Sequence, residues 1–148
     1  MKVYEGKIAD NYRNKFVETF VDCKSAYYQE RIQVLQKFTD GDCYTGYLWD
    51  CLKSPIVDSE ENVLKRIETA KEPLLVMWDI HSRDRIFIPN YWKYYPKHAV
   101  LEMNSEEYIQ LQPSLPEDHY VFTTEYKWTV AVTHEEIDFK RWCLFVEA

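Results

Sequence analysis

The chain has three glycines in 148 residues, and they stand apart, at Gly6, Gly41 and Gly46. None belongs to a G-x-G-x-x-G or a G-x-x-x-x-G-K-[ST] string, so the backbone loops that cradle nucleotide phosphates are missing. Cys23, Cys43, Cys51 and Cys143 form no C-x-x-C pair. Their spacing suggests neither a zinc site nor a disulfide framework, and reduced thiols in a cytoplasmic protein are expected. No apolar run approaches the roughly 18 residues of a membrane span. The opening Met1-Lys2-Val3-Tyr4-Glu5-Gly6-Lys7 lacks the apolar core of a signal peptide. Cations are scarce over one long stretch. Between Leu101 and Asp138 the acids are Glu102, Glu106, Glu107, Glu117, Asp118, Glu125, Glu135, Glu136 and Asp138, and Lys127 is the one base.

That scarcity is a property of one half. Residues 1–71 carry 11 basic and 12 acidic residues, against 7 and 13 in residues 72–148. An acidic window of this kind argues against nucleic acid or an anionic membrane as partner, since phosphate contacts need Lys and Arg. It favours a basic protein. Acidic surfaces also keep proteins soluble, which gives the same composition without a partner.

What is present is enough for one core. The length fits a single domain over residues 1–148, and 46% hydrophobic with 29% charged residues excludes disorder and low-complexity classes. Five Trp, twelve Tyr and seven Phe supply much of the buried area. The surplus of Tyr and Trp also suits a recognition surface.

The N-terminal third reads as helical. Asn11 to Val21 places Phe16, Val17, Phe20 and Val21 on one stripe, and Ser25 to Phe38 places Tyr28, Ile32, Leu35 and Phe38 near helical spacing. The alternation Ile32, Val34, Gln36, Phe38 fits a strand equally. Asp40-Gly41-Asp42 marks a turn, and Tyr44 to Leu52 suits a short aromatic helix. The spacing predicts a helix from Ser59 to Lys71, with Asp58 and Glu61 as a capping box and Val63, Leu64, Ile67 and Ala70 inward. Glu72-Pro73 ends it.

The remainder reads as antiparallel sheet. Leu74 to Asp79 is apolar on both faces, as in a central strand, and Arg85 to Ile88 returns from it. Pro89 and Pro96 bracket an aromatic loop, Asn90 to Tyr95. His98 to Met103 suits a strand, and Asn104 with Glu107 caps a short helix to Leu111. His119–Thr123, Lys127–His134 and Arg141–Glu147 suit a meander. Within it Trp128, Val130, Val132 and His134 alternate onto one face. The expected fold is α+β, a helical N-terminal part packed on a mainly antiparallel sheet.

Few residues suggest chemistry. Asp79 and His81 share one strand face, where a carboxylate can orient an imidazole. A metal needs three or four ligands, so His134 and Glu135 would have to complete the set. Thr133-His134-Glu135-Glu136-Ile137-Asp138 is not H-E-x-x-H, because position 138 is Asp. The commoner role for such strand-end histidines is a structural hydrogen bond. Ser82 has no glycine around it, so it makes no nucleophile elbow. Cys51 and Cys143 lie among apolar residues and read as core thiols. The Tyr91–Tyr95 stretch resembles a base-stacking platform, yet it has one Lys and no positive groove.

Two strings carry a resemblance. Asp118-His119-Tyr120-Val121-Phe122 and Trp128-Thr129-x-x-x-Thr133-His134-Glu135 resemble the C-terminal signature of small bacterial proteins that include immunity proteins encoded beside polymorphic toxins. Where such proteins often carry a Gly-Pro-Tyr-Phe-like stretch, this chain reads Arg141-Trp142-Cys143-Leu144-Phe145. The resemblance implies a stoichiometric inhibitor and not an enzyme. No cofactor is expected, and the low ligand count and irregular spacing predict no specific metal. The inhibitor's partner would be a cognate toxin or another basic protein. The acidic window fits that implication, because many effector toxins are basic nucleases. The expected partner-binding residues are Glu106, Glu107, Glu117, Asp118, Glu135, Glu136 and Asp138. The alternative is a small hydrolase or metalloenzyme using Asp79, His81, His134 and Glu135.

Overall fold

The computed structural model describes residues 1–33, 36–38, 41–43, 46–79, 85–88, 93–96 and 98–148; at 36–38, 41–43, 85–88 and 93–96 only the backbone is described. The elements in order are β1 (Lys2–Tyr4), α1 (Gly6–Phe20), α2 (Ala26–Arg31), β2 (Gln36–Phe38), β3 (Gly41–Cys43), β4 (Ile56–Ser59), α3 (Glu60–Glu68) and β5 (Leu74–Trp78). Then follow β6 (Arg85–Ile88), β7 (Lys93–Pro96), β8 (Val100–Met103), α4 (Ser105–Leu111), β9 (His119–Thr123), β10 (Trp128–Ile137) and β11 (Lys140–Glu147). The fold is α+β. A seven-stranded sheet runs β1-β8-β5-β9-β10-β11-β4, each neighbouring pair antiparallel. The pairs β2–β3 and β6–β7 are separate two-stranded ribbons.

Helices cover both faces of the large sheet, which explains the strand that is apolar throughout. In β5, Leu74, Val76 and Trp78 face Val63 and Ile67 of α3 and Tyr108 and Leu111 of α4. Leu75 and Met77 face the opposite layer, Ala9, Phe16 and Phe20 of α1. All five β5 side chains are therefore buried, and alternation has no reason to appear. In α1 the buried positions Ala9, Arg13, Phe16 and Phe20 repeat at helical spacing. The Phe16 ring lies 5.1 and 5.0 Å from those of Tyr120 and Phe122. Fully burying Phe16 and Phe20 contributes roughly 1.5–3 kcal/mol each.

Several sequence expectations hold and several need correction. The Asn104 box is as expected: Asn104 Oδ1 accepts from Glu107 N at 2.8 Å, and Glu107 Oε1 accepts from Asn104 N at 3.2 Å. On α3 the cap is Ser59, whose Oγ accepts from Asn62 N at 3.2 Å. Asp58 instead holds the Ser59 N–H at 2.8 Å and the Asn62 side-chain amide at 2.9 Å. Ser59 is the residue at the N-cap position, so its hydroxyl takes the orphan amide, and Asp58 stands one residue outside the helix. The expected Ser25–Phe38 helix stops at Arg31, and Gln36–Phe38 is strand; both patterns were present in one segment. The Tyr44–Leu52 helix is a single 3-10 turn, Leu48–Cys51. Strand β6 pairs with β7, not with β5, whose neighbours are β8 and β9. Two strands that the sequence did not suggest, β1 in the third expected to be helical and β4 just before α3, form the sheet's outer edges. At three and four residues they are too short to show a period. The expected turn at residues 40–42 falls partly outside the described residues, as does the expected aromatic loop at 90–95, whose described part from Lys93 onward is strand β7 and not loop.

Candidate protein-binding site

The acidic end of the sheet is built where β10 and β11 outrun their neighbours. Strand β9 pairs with β10 as far as His119 opposite Val132. Beyond Val132 the β10–β11 register shifts, so that the next regular pairs are Glu136 with Arg141 and Ile137 with Lys140. Three residues, Thr133 to Glu135, therefore lie against Trp142 alone. Thr133 Oγ1 fills this bulge, donating to Trp142 O at 3.0 Å and accepting from Glu135 N at 3.2 Å. A bulge re-aims side chains. His134 accordingly does not share a face with Val130 and Val132. It turns to the other side, 5.4 Å from the Tyr47 ring and 6.0 Å from the Trp49 ring. Trp128, expected on the face of Val130 and Val132, is half-buried there against Phe145.

Asp118 fastens the root of the projection. Its Oδ1 accepts from His134 N at 3.0 Å and lies 2.9 Å from His134 Nδ1, with Oδ2 at 3.0 Å from the same nitrogen. Asp118 O also accepts from Asp79 N at 2.9 Å, which ties the end of β5 to the same point. The hydrogen bond to the Asp118 carboxylate raises the His134 pKa.

From this root the two strands project as an arm. Every residue from His134 to Lys140 is exposed. The tip is a two-residue turn, Asp138-Phe139, with φ of 53° and 64°. Two successive positive φ values mark a type I′ turn, which favours Asn and Gly. Asp tolerates the left-handed region; a Phe there is strained by about 1 kcal/mol or more. Phe139 is 99% exposed and Ile137 54%. Below them lies an open groove of about 440 Å³, lined by Glu60, Gln112, Pro113, Leu115, Glu117, Glu136, Phe139 and Arg141. The Arg141 guanidinium spans it, 3.4 Å from Glu60 Oε2 and 3.5 Å from Glu117 Oε1.

The expected binding residues divide. Glu117, Asp118, Glu135, Glu136 and Asp138 gather at this end, joined by Glu60. Glu135 and Glu136 lie on β10 and not in a loop as the sequence suggested; only Asp138 is in the turn. Asp118 is occupied by His134. Glu107 is elsewhere and committed: besides its capping role, its Oε2 pairs with the Met1 amine at 3.0 Å, which lowers its pKa. Glu106 is exposed in the first turn of the same helix and does not join the cluster. Sequence reasoning missed Ile137, Phe139, Glu60 and Arg141. The signal for Phe139 was there: a large apolar side chain where a tight turn asks for Asn or Gly.

Of the residues of the hydrolytic alternative, Asp79 and His134 each bond to other partners. Asp79 is fully buried and accepts from Leu48 N at 3.1 Å and from the Tyr120 hydroxyl. His134 is paired with Asp118 instead. His81 and Ser82 lie outside the described residues. Burial pushes the Cys51 and Cys143 thiols up to about 12, which keeps them protonated and poor nucleophiles. His119 is buried, with Nδ1 2.6 Å from Pro116 O and Nε2 2.9 Å from the Tyr108 hydroxyl. A carbonyl only accepts, so Nδ1 carries the proton and Tyr108 donates to Nε2. Among the described residues no group of three or more His, Cys, Asp and Glu is placed to hold a metal ion, and no helix is long and apolar enough to cross a membrane. No protein-family model, no curated protein and no solved structure matches this chain.

Proposed function

We propose that the chain is a protein-binding module of the immunity type, which neutralises a basic bacterial toxin by stoichiometric contact and not by turnover. One observation carries the reading: Glu135, Glu136 and Asp138 lie on a projecting, exposed arm with Lys140 as its one lysine, and Glu117 lies beside its root, where Arg141 is already held between Glu60 and Glu117. Carboxylates gathered at one end of a molecule produce a directional field. That field accelerates encounter with a positive partner more than it raises final affinity. The resemblance of the Asp118–Phe122 and Trp128–Glu135 strings to bacterial immunity proteins fits the same reading.

The test is kinetic. A basic protein that co-purifies with the chain is mixed with wild type and with the Glu135→Lys, Glu136→Lys double variant across a range of salt. Association should slow about tenfold or more in the variant at low ionic strength, and the difference should shrink as salt shortens the Debye length below about 8 Å. Association that ignores both salt and charge reversal, or a partner that is acidic or a nucleic acid, would end the proposal.

A further inference from the structure

We infer that Phe139, supported by Ile137, is an apolar anchor that inserts into a pocket rimmed by Lys or Arg on the partner protein. The inference rests on the protein-binding reading above and names the chemistry of the surface that arm meets. Three independent features lead to it.

The first is exposure. Among the described residues Phe139 is the most exposed large apolar side chain, at 99%, and Ile137 beside it is at 54%. A Phe ring withholds a large apolar area from burial here and gains nothing from the fold. The second is backbone. The ring is carried at φ 64°, where Asn or Gly makes the turn without strain. Folding therefore favours replacing Phe139, and a function outside the fold explains its presence. The third is rigidity. The Asp118–His134 contacts and the Thr133 bulge hold the root, and the two-residue turn fixes the tip, so little ordering entropy is lost on docking.

Charge selects the occupant. Glu135, Glu136 and Asp138 share the exposed stretch His134–Lys140 with Phe139, against Lys140 as its one lysine, and the groove that Phe139 lines carries Glu60, Glu117 and Glu136 with Arg141. An anchor hydrophobic at its centre and anionic at its rim matches an apolar pocket edged by cations. Two copies of this chain meeting arm to arm would bring like charges together. An anionic lipid surface would repel the same carboxylates.

The experiment places p-benzoylphenylalanine at position 139 of the full chain and irradiates it in cells of the native host. The expected adduct is to one basic protein, within an apolar stretch flanked by Lys or Arg. That protein is then purified and titrated with wild type and with Phe139→Asn. The variant should melt no lower than wild type, because Asn relieves the turn, yet bind at least about thirtyfold more weakly. An adduct to a second copy of this chain, an adduct to an acidic protein, or no adduct would overturn the inference. So would a Phe139→Asn dissociation constant within twofold of wild type. If Glu135→Lys still slows association with that protein while Phe139→Asn changes nothing, the anchor is lost and the binding reading stands. If no protein associates with the chain, both are lost.

Discussion

The two halves of β10 are one continuous strand with opposite fates. Thr129 to Thr133 are buried, covered by α1 on one side and by α3 and α4 on the other; His134 to Ile137 are exposed on both sides. Pairing with β9 ends at Val132, but pairing with β11 resumes beyond the Thr133–Glu135 bulge, so lost hydrogen bonding does not by itself separate them. The helical layers do. Where both layers are present, side chains are β-branched or small and polar atoms are satisfied internally. Where the layers end, acids and an unburied Phe appear. A strand thus changes from core material to exposed surface within two residues, at the point where Asp118 clamps His134.

The sharpest test of this contrast is to damage the covered half. Trp78, fully buried on β5, should cost about 3–5 kcal/mol when changed to Ala, read from urea unfolding. Almost no change would mean the helical layers are not what holds that half.

Two histidines extend the contrast to pH. His119 pairs with Val132 at the edge of the covered half, and burial lowers its pKa from 6.5 to about 4. Its neutral form is the folded one. The stability it contributes is full above about pH 6.5 and is lost as pH falls from there toward 4, on the order of 3 kcal/mol. Urea midpoints between pH 7 and 5 should fall in wild type and lose that slope in His119→Gln; an unchanged slope would place a different group in charge.

A smaller effect is expected at the bond between layers. Tyr120→Phe removes the hydroxyl that donates to buried Asp79, which should cost about 1–3 kcal/mol with no change in the folded spectrum. A neutral result would mean Asp79 is satisfied without it.

The smallest effect belongs to His134, with the opposite sign. Its pKa is raised by Asp118, so its contribution is full below about pH 6.5 and fades as pH rises through the raised value. The imidazole is 38% exposed, and solvent screening holds the amount under about 1 kcal/mol. His134→Gln should flatten the alkaline side of the profile and leave the acid side alone. If the acid side moved instead, the two histidines would have exchanged roles.

Legibility followed burial. The Asn104–Glu107 box, the all-apolar β5 and the three-strand meander were readable because caps, runs and alternation each have a local cause. The edge strands β1 and β4 were not, since a pair formed across nearly the whole chain leaves no pattern in three or four residues. The acids of this end of the sheet were visible as charge. Their gathering was not, because Glu60 reaches Glu117 and Glu136 only through the β11–β4 pairing and Arg141. His134's direction depended on a register shift with no sequence mark. Gly46 needed the structure as well: a Cβ there would lie 2.7 Å from the Tyr27 hydroxyl, which donates to Asp50 Oδ2 at 2.8 Å and accepts from Tyr47 N at 3.1 Å.

The sheet order has a kinetic consequence. The edges β1 and β4 are drawn from the first 59 residues, and their partners β8 and β11 lie at residues 100–103 and 140–147. Helix α1 likewise finds Tyr120 and Phe122 only after roughly a hundred residues of chain have been gathered between them. Such long-range closure places folding in the slow, millisecond-to-second class. Until it happens, Phe16 and Phe20 lack the sheet side of their cluster, Leu75, Met77, Tyr120 and Phe122. A fragment ending before β5 should therefore stay unfolded and cling to chaperones, while the intact chain refolds in one slow phase.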